Sequence, residues 1–167
     1  NMDPRGQKVE TIAQQLQARG WSVGAVTSVP VSPATPAASY AHNVHRSDYQ
    51  DLTRDLLGLP SVTHPDRPLS GLDVLIGTGA GSETQESSDQ GANFVPGNIY
   101  LTQKDLEAID VRKGGRYVVA ARSKNQEGWE SLRNAAATAV TQHQRLFGFF
   151  GVPSTKHLPF ETANGDY

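Results

Sequence analysis

The sequence predicts an α/β fold, a mainly parallel sheet covered by helices on both faces, and three observations carry that prediction. Stretches with the apolar period of a helix alternate with short runs rich in valine or phenylalanine. Those runs have few polar interruptions, as strands buried within a sheet do. The alternation persists along the chain, the pattern of strand and crossover helix that builds parallel sheets. A chain of 167 residues is long enough for one core and too short to argue for two, so a single domain over 1–167 is expected.

The elements follow in order. Val9, Ile12, Ala13 and Leu16 fall on one helical face and Gly20 follows as a stop, which predicts a helix over 9–19. Residues 21–28 read as a strand buried on both faces. A second helix presents Tyr49, Leu52 and Leu56, and is ended by Leu57, Gly58 and Pro60. A proline-rich connector over 60–69 leads to a strand at 72–76. Residues 77–98, dominated by glycine, serine, glutamine and acidic groups, read as a long flexible surface loop. Thr102 and Asp105 have capping-box spacing ahead of Leu106 and Ile109, with Asp where Glu or Gln is usual. Tyr117–Ala121 is strand-like, Leu132, Ala135, Ala136 and Ala139 form a helix face, and 146–150 is strand-like again.

Composition removes several function classes. The formal net charge of −2 supplies no basic field for nucleic acid or an anionic membrane, so neither is expected as a partner. There is no cysteine, which excludes disulfides, thiolate metal sites and cysteine nucleophiles together. Any metal must therefore bind oxygen or imidazole. No apolar run is long enough to span a bilayer, and the first residues lack the apolar core of a signal peptide.

The segment 33–46 follows the first predicted strand, where functional groups of open α/β sheets gather. Thr35 before Pro36 reads in one way as a helix N-cap with proline at the first helical position. In another way its hydroxyl is a hard oxygen suited to Mg²⁺. Arg46 reads either as a solvated helix end or as a planar fork of donors matched to two phosphate oxygens. An unbroken helix would separate the two by about 16 Å along its axis. A break near His42 or Asn43 is therefore expected, with Asn43 as C-cap and Arg46 turned back. His42 and His45 read as surface or capping groups in the absence of an adjacent carboxylate. Gly77-Thr78-Gly79-Ala80-Gly81 has Ser82 where a dinucleotide loop has its third glycine, and Ser87, Ser88 and Asp89 lack a nucleophile-elbow context.

Ala34-Thr35-Pro36-Ala37-Ala38, followed by Tyr40-Ala41-His42 and Arg46, resembles the Ala-Thr-Pro-Ala-Ala, Ala-His and Arg segment of the alkaline phosphatases. Residues 22–28 and Asp73-Val74-Leu75-Ile76-Gly77 are similar to that family's strands. Residues 146–150, His157-Leu158-Pro159-Phe160 and Asp166-Tyr167 resemble the stretch before its distal metal motifs. The resemblance implies part of a three-layer α/β sandwich and a hydrolase acting on small-molecule phosphate monoesters. It implies Thr35 as a magnesium ligand and Arg46 as the group that holds the substrate phosphate. It also implies Zn²⁺ and Mg²⁺ as cofactors of the intact protein, and a periplasmic or extracellular parent. Pro33 departs from the family, whose better-known members carry Asp or His there.

No Asp is followed by Ser, and neither Asp-His nor Asp-x-x-x-His occurs. The nucleophile and zinc motifs of the family are thus missing. The expectation is an internal fragment that lacks the remainder of its own domain as a partner, binds no metal stably and does not turn over substrate alone. The alternative is a non-catalytic binding or structural domain that keeps the fold.

Overall fold

The computed structural model describes residues 1–85, 90–91, 93–121 and 126–151. Ser87, Ser88, Asp89, His157 to Phe160, Asp166 and Tyr167, all singled out above, lie outside them. The elements run α1 (Ile12–Ala18), β1 (Gly24–Pro30), α2 (Ala34–Ala38), α3 (Tyr49–Leu57), β2 (Val74–Thr78), β3 (Glu83–Thr84), β4 (Gly97–Asn98), α4 (Gln103–Ile109), β5 (Tyr117–Ala121), α5 (Gly128–Thr141) and β6 (Arg145–Phe150). Four strands form one sheet in the order β1-β2-β6-β5, with every pairing parallel. The α/β prediction with a mainly parallel sheet therefore holds.

Register explains the two-layered core. Val74 pairs with Leu146 and Leu146 with Val118, while the adjacent row joins Leu75, Phe147 and Val119. Successive side chains point to opposite faces. One face sends Val118, Ala120, Leu146 and Phe150 against Ala135 and Ala139 of α5. The other sends Leu75, Tyr117, Phe147 and Phe149 against Leu52, Leu56 and Leu57 of α3 and against Val31, Ala37 and Tyr40. Each fully buried leucine here contributes about 1.5–3 kcal/mol.

Where sequence and fold agree, local signals explain it. The side chain of Thr102 accepts from the backbone of Asp105 and opens α4. Gly58 closes α3 in the left-handed conformation, φ 72°, which glycine adopts without a steric penalty. Where they differ, tertiary position decides. The first helix starts at Ile12, because Thr11 and Gln14 form a reciprocal capping box. Val9 is left outside it, and Ile12 is 75% exposed. This helix buries no residue completely. Polar side chains fasten it: Gln14 Nε2 donates to the Tyr40 carbonyl at 3.1 Å, Gln17 Nε2 to the Gly71 carbonyl at 2.8 Å, and the Tyr40 hydroxyl to Gln17 Oε1 at 2.6 Å.

The strand predicted over 21–28 is displaced to Gly24–Pro30 and is not buried on both faces. It is an edge strand, Trp21 lies exposed before it, and Val26, paired with Ile76, is 73% exposed. The loop predicted from residue 77 begins later. Gly77 and Thr78 belong to β2, both are buried, and a short antiparallel pair, Glu83 with Asn98 and Thr84 with Gly97, ties the excursion together. Gly79, at φ +120°, lies where a Cβ would stand 2.6 Å from the Tyr100 ring.

Candidate functional site

The chain leaves β1 through buried Val31 and Ser32 and enters α2, which spans only Ala34–Ala38. Pro33 is the N-cap residue, so Thr35 sits inside the first turn instead of capping it, and Pro36 is the third helical residue instead of the first. Proline is tolerated there because first-turn amides have no partner within the helix. Ser39 closes α2, with its hydroxyl donating to the Pro36 carbonyl at 2.7 Å. The expected break exists but falls earlier than His42, and Asn43 is not its cap. Asn43 instead organises the next turn: its Oδ1 accepts from the His45 amide at 2.8 Å, and its Nδ2 donates to Asp48 Oδ2 at 3.0 Å. Thr35 and Arg46 are both exposed. Among the described residues Arg46 makes no ion pair.

His42 is not the surface group the sequence suggested. It is 4% exposed and lies beside two groups far from it in sequence, Asp55 (0%) and His64 (9%). Asp55 Oδ2 accepts from the His42 amide at 2.8 Å, and Asp55 Oδ1 accepts from Ser61 Oγ at 2.5 Å and faces His64 Nδ1 at 2.9 Å. The Thr63 hydroxyl donates to the His42 carbonyl at 2.8 Å. The two imidazole rings stand 5.2 Å apart, centre to centre. His42 Nε2 lies 2.8 Å from the Val9 carbonyl, which can only accept, so that nitrogen carries the ring proton. Nδ1 of the same ring then bears a lone pair, and it is buried with no partner. Burial holds the His42 ring below the usual imidazole range, with the Val9 hydrogen bond opposing. The same desolvation pushes the Tyr40 phenol up to about 12.

The polar side of α3 makes a second network. Arg54 bridges Asp51 at 3.1 Å and Asp105 at 3.0 Å, tying α3 to α4. Gln50 Nε2 donates to the carbonyls of Val95 and Asn98, both at 2.9 Å, and Gln50 Oε1 accepts from the Val95 amide at 3.0 Å. These bonds hold the far end of the long connection after β2. Burial raises the Asp48 carboxyl above its ordinary range, opposed by its bond from Asn43 and reinforced by the charge of Asp51. The sequence signal for both networks was the set of acidic residues, Asp51 and Asp55, next to the apolar positions Leu52 and Leu56. Charged groups that close to a buried helix face need partners.

The donor set near Thr35 can be weighed against a magnesium ion. Mg²⁺ takes near-octahedral oxygen coordination, mostly from carboxylates and water. Thr35 offers one neutral hydroxyl and Pro33 offers no side-chain ligand at all. Among the described residues, the group of His, Asp and Glu side chains close enough to share an ion is His42, Asp55 and His64. The residues present therefore do not by themselves fit that ion.

Residues 1–164 match the alkaline phosphatase family model. The chain is 25% identical to alkaline phosphatase 4 of Bacillus subtilis (strain 168) over 177 aligned positions, covering 99% of this chain and 36% of that protein. It is 43% identical to the tissue-nonspecific isozyme of alkaline phosphatase from Gallus gallus over 47 positions, 28% of this chain and 9% of that protein. The chain thus spans about a third of the first relative and a smaller share of the second. No solved structure matches it.

Proposed function

The chain belongs to the alkaline phosphatase family, and on that premise we propose that it forms part of a phosphomonoesterase in which Arg46 holds the substrate phosphate and Thr35 contributes a magnesium ligand. The observation that carries this reading is the placement of the Thr35 and Arg46 segment: it directly follows β1, and α2 ends at Ala38. Arg46 is thereby freed from the helix that would have carried it away from Thr35. Its exposed guanidinium has no carboxylate partner among the described residues, so its planar fork is available to two phosphate oxygens.

That exposed fork supports a chemical role for Arg46. A phosphoryl group in transfer spreads charge over its equatorial oxygens, and a fixed pair of N–H donors stabilises that charge and aligns the group. Lysine would supply charge without the paired geometry. Alkaline phosphatases depend on zinc and magnesium, and Thr35 alone cannot assemble such a centre. The remaining ligands and the serine nucleophile belong to other parts of the same catalytic domain, so the isolated chain is inactive. Groups that act as a unit lose most of the rate when any one is missing.

Two observations test this. The chain supplied with zinc, magnesium and an aryl phosphate is expected to give no turnover above buffer. Sustained turnover would overturn the incomplete-site reading. The reading frame around these 167 residues is expected to encode Asp-Ser before them and Asp-His after them. A frame without those pairs would favour a non-catalytic domain that keeps the fold.

A further inference from the structure

We propose that His42, Asp55 and His64 form a transition-metal site of the Zn²⁺ class that uses neither Thr35 nor Arg46. One ligand atom from each of the three lies within 4.8 Å of the others. Zinc with nitrogen and oxygen ligands at about 2.0–2.2 Å sets neighbouring ligands about 3.4 Å apart. Binding an ion would draw the ligand atoms together by up to about 1.4 Å.

The proton inventory of the cluster supports a cation. Ser61 Oγ uses its hydrogen on Asp55 Oδ1, and Thr63 Oγ1 uses its hydrogen on the His42 carbonyl. His64 Nδ1, 2.9 Å from Asp55 Oδ1 and 3.2 Å from Thr63 Oγ1, therefore carries a proton between itself and the carboxylate. His42 Nδ1 remains a bare, buried lone pair, the one fully buried polar side-chain atom of the cluster without a partner. A divalent cation in place of the proton shared by His64 and Asp55 satisfies all three groups. The His64 proton moves to Nε2, Asp55 keeps its bond from Ser61, and His42 Nδ1 gains a partner.

The surroundings are those a metal site requires. A metal-bound imidazole usually donates its other N–H to a carbonyl or carboxylate, and His42 Nε2 already does so to Val9. Asp55 is oriented by Ser61 and by the His42 amide. His42 and His64 both line a cavity of about 400 Å³ that also touches Glu10 and Gln14, which leaves room for water as a fourth ligand. The absence of cysteine leaves imidazole and carboxylate as the available strong donors. Bound metal would join α3, the 61–64 loop and the turn after α2, four residues before Arg46. It would fix the point from which the arginine segment departs.

The test uses the full 167-residue chain with Co²⁺ as a spectroscopic probe and Zn²⁺ as competitor. One equivalent of Co²⁺ is expected to bind saturably with the visible absorption of a tetrahedral or five-coordinate site, and Zn²⁺ is expected to displace it. His42→Gln and His64→Gln are each expected to weaken binding at least about ten-fold. Thr35→Ala and His45→Gln are expected to leave it unchanged, which separates this site from the magnesium position. Should either glutamine variant fail to fold, proton NMR of the unsubstituted chain decides. Co²⁺ should then shift the ring protons of His42 and His64 and not those of His45 or His143. Lack of saturable binding, binding abolished by Thr35→Ala, or shifts confined to other histidines would each overturn the proposal.

Discussion

Replacing Asp55 tests how much the buried network contributes to the fold. Its carboxylate accepts from the His42 amide, Ser61 Oγ and His64 Nδ1 at 2.8, 2.5 and 2.9 Å. In Asp55→Ala, Ser61 retains Thr63 Oγ1 as a neighbour at 3.2 Å, and neutral His64 can move its proton to the other ring nitrogen. The backbone amide of His42 has no such alternative. Leaving one buried donor unpaired costs about 1–3 kcal/mol, and loss of a buried charged acceptor with several partners brings the total to about 3–5 kcal/mol. Asp55→Asn differs instructively. Its amide oxygen can still serve the His42 N–H while its NH₂ donates to Ser61 and to His64 in the other tautomer. About 1–2 kcal/mol is expected, one net hydrogen bond to a formerly charged group. Urea unfolding followed by circular dichroism, with metal chelated, reads both as shifts in midpoint at constant slope. Alanine and asparagine variants of equal stability, or an alanine variant within about 0.5 kcal/mol of the unsubstituted chain, the range of ordinary surface changes, would refute this reasoning.

Other predictions follow from single environments. Gly79→Ala places a Cβ against Tyr100 at a backbone angle that disfavours side chains, and is expected to lower stability by about 2–3 kcal/mol in the same assay. Arg46→Ala, at an exposed position, is expected to change stability by less than about 0.5 kcal/mol, while any binding of inorganic phosphate, measured by calorimetry, is lost. Burial raises the Asp48 carboxyl in the folded state above the ordinary carboxylate value of 3.8. The folded chain therefore holds a proton there that the unfolded chain has released, so its contribution is fully present below 3.8 and falls away as pH rises through the folded value. Asp48→Asn is expected to flatten the fall in stability above pH 3.8, read from urea midpoints across that range; an unchanged slope would contradict it.

Much of this fold was legible because many elements carry their own local instructions. Tyr117–Ala121 was read with the bounds it has, and α3 and α4 announced themselves through Gly58 and Thr102. β1 was misjudged because a valine-rich run does not disclose whether a strand lies at the centre or the edge of its sheet. Val26 resembles a core residue until its position outside β2 leaves it exposed. α1 misled in the same way: the apolar stripe of Val9 and Ile12 was real in sequence, but the capping box set a different start, and Ala13 and the glutamines made the contacts. At the site, a local motif singled out Thr35 and Arg46 as candidates, whereas His42 finds its partners 13 and 22 positions away. Spacing along one helix could not reveal Asp55 and His64, because a crossover and a turn bring them together.

The glutamine-fastened attachment of α1 has a kinetic consequence. Contacts of this kind contribute about 1 kcal/mol apiece, and α1 contains no fully buried side chain. This end of the molecule is expected to open locally, well below the free energy of global unfolding, with its amides exchanging with solvent ahead of those in β2 and β6. Val9, whose carbonyl holds the His42 ring proton, lies just before that helix. The orientation of one buried imidazole is therefore only as persistent as a shallow, rapidly sampled closure at the surface.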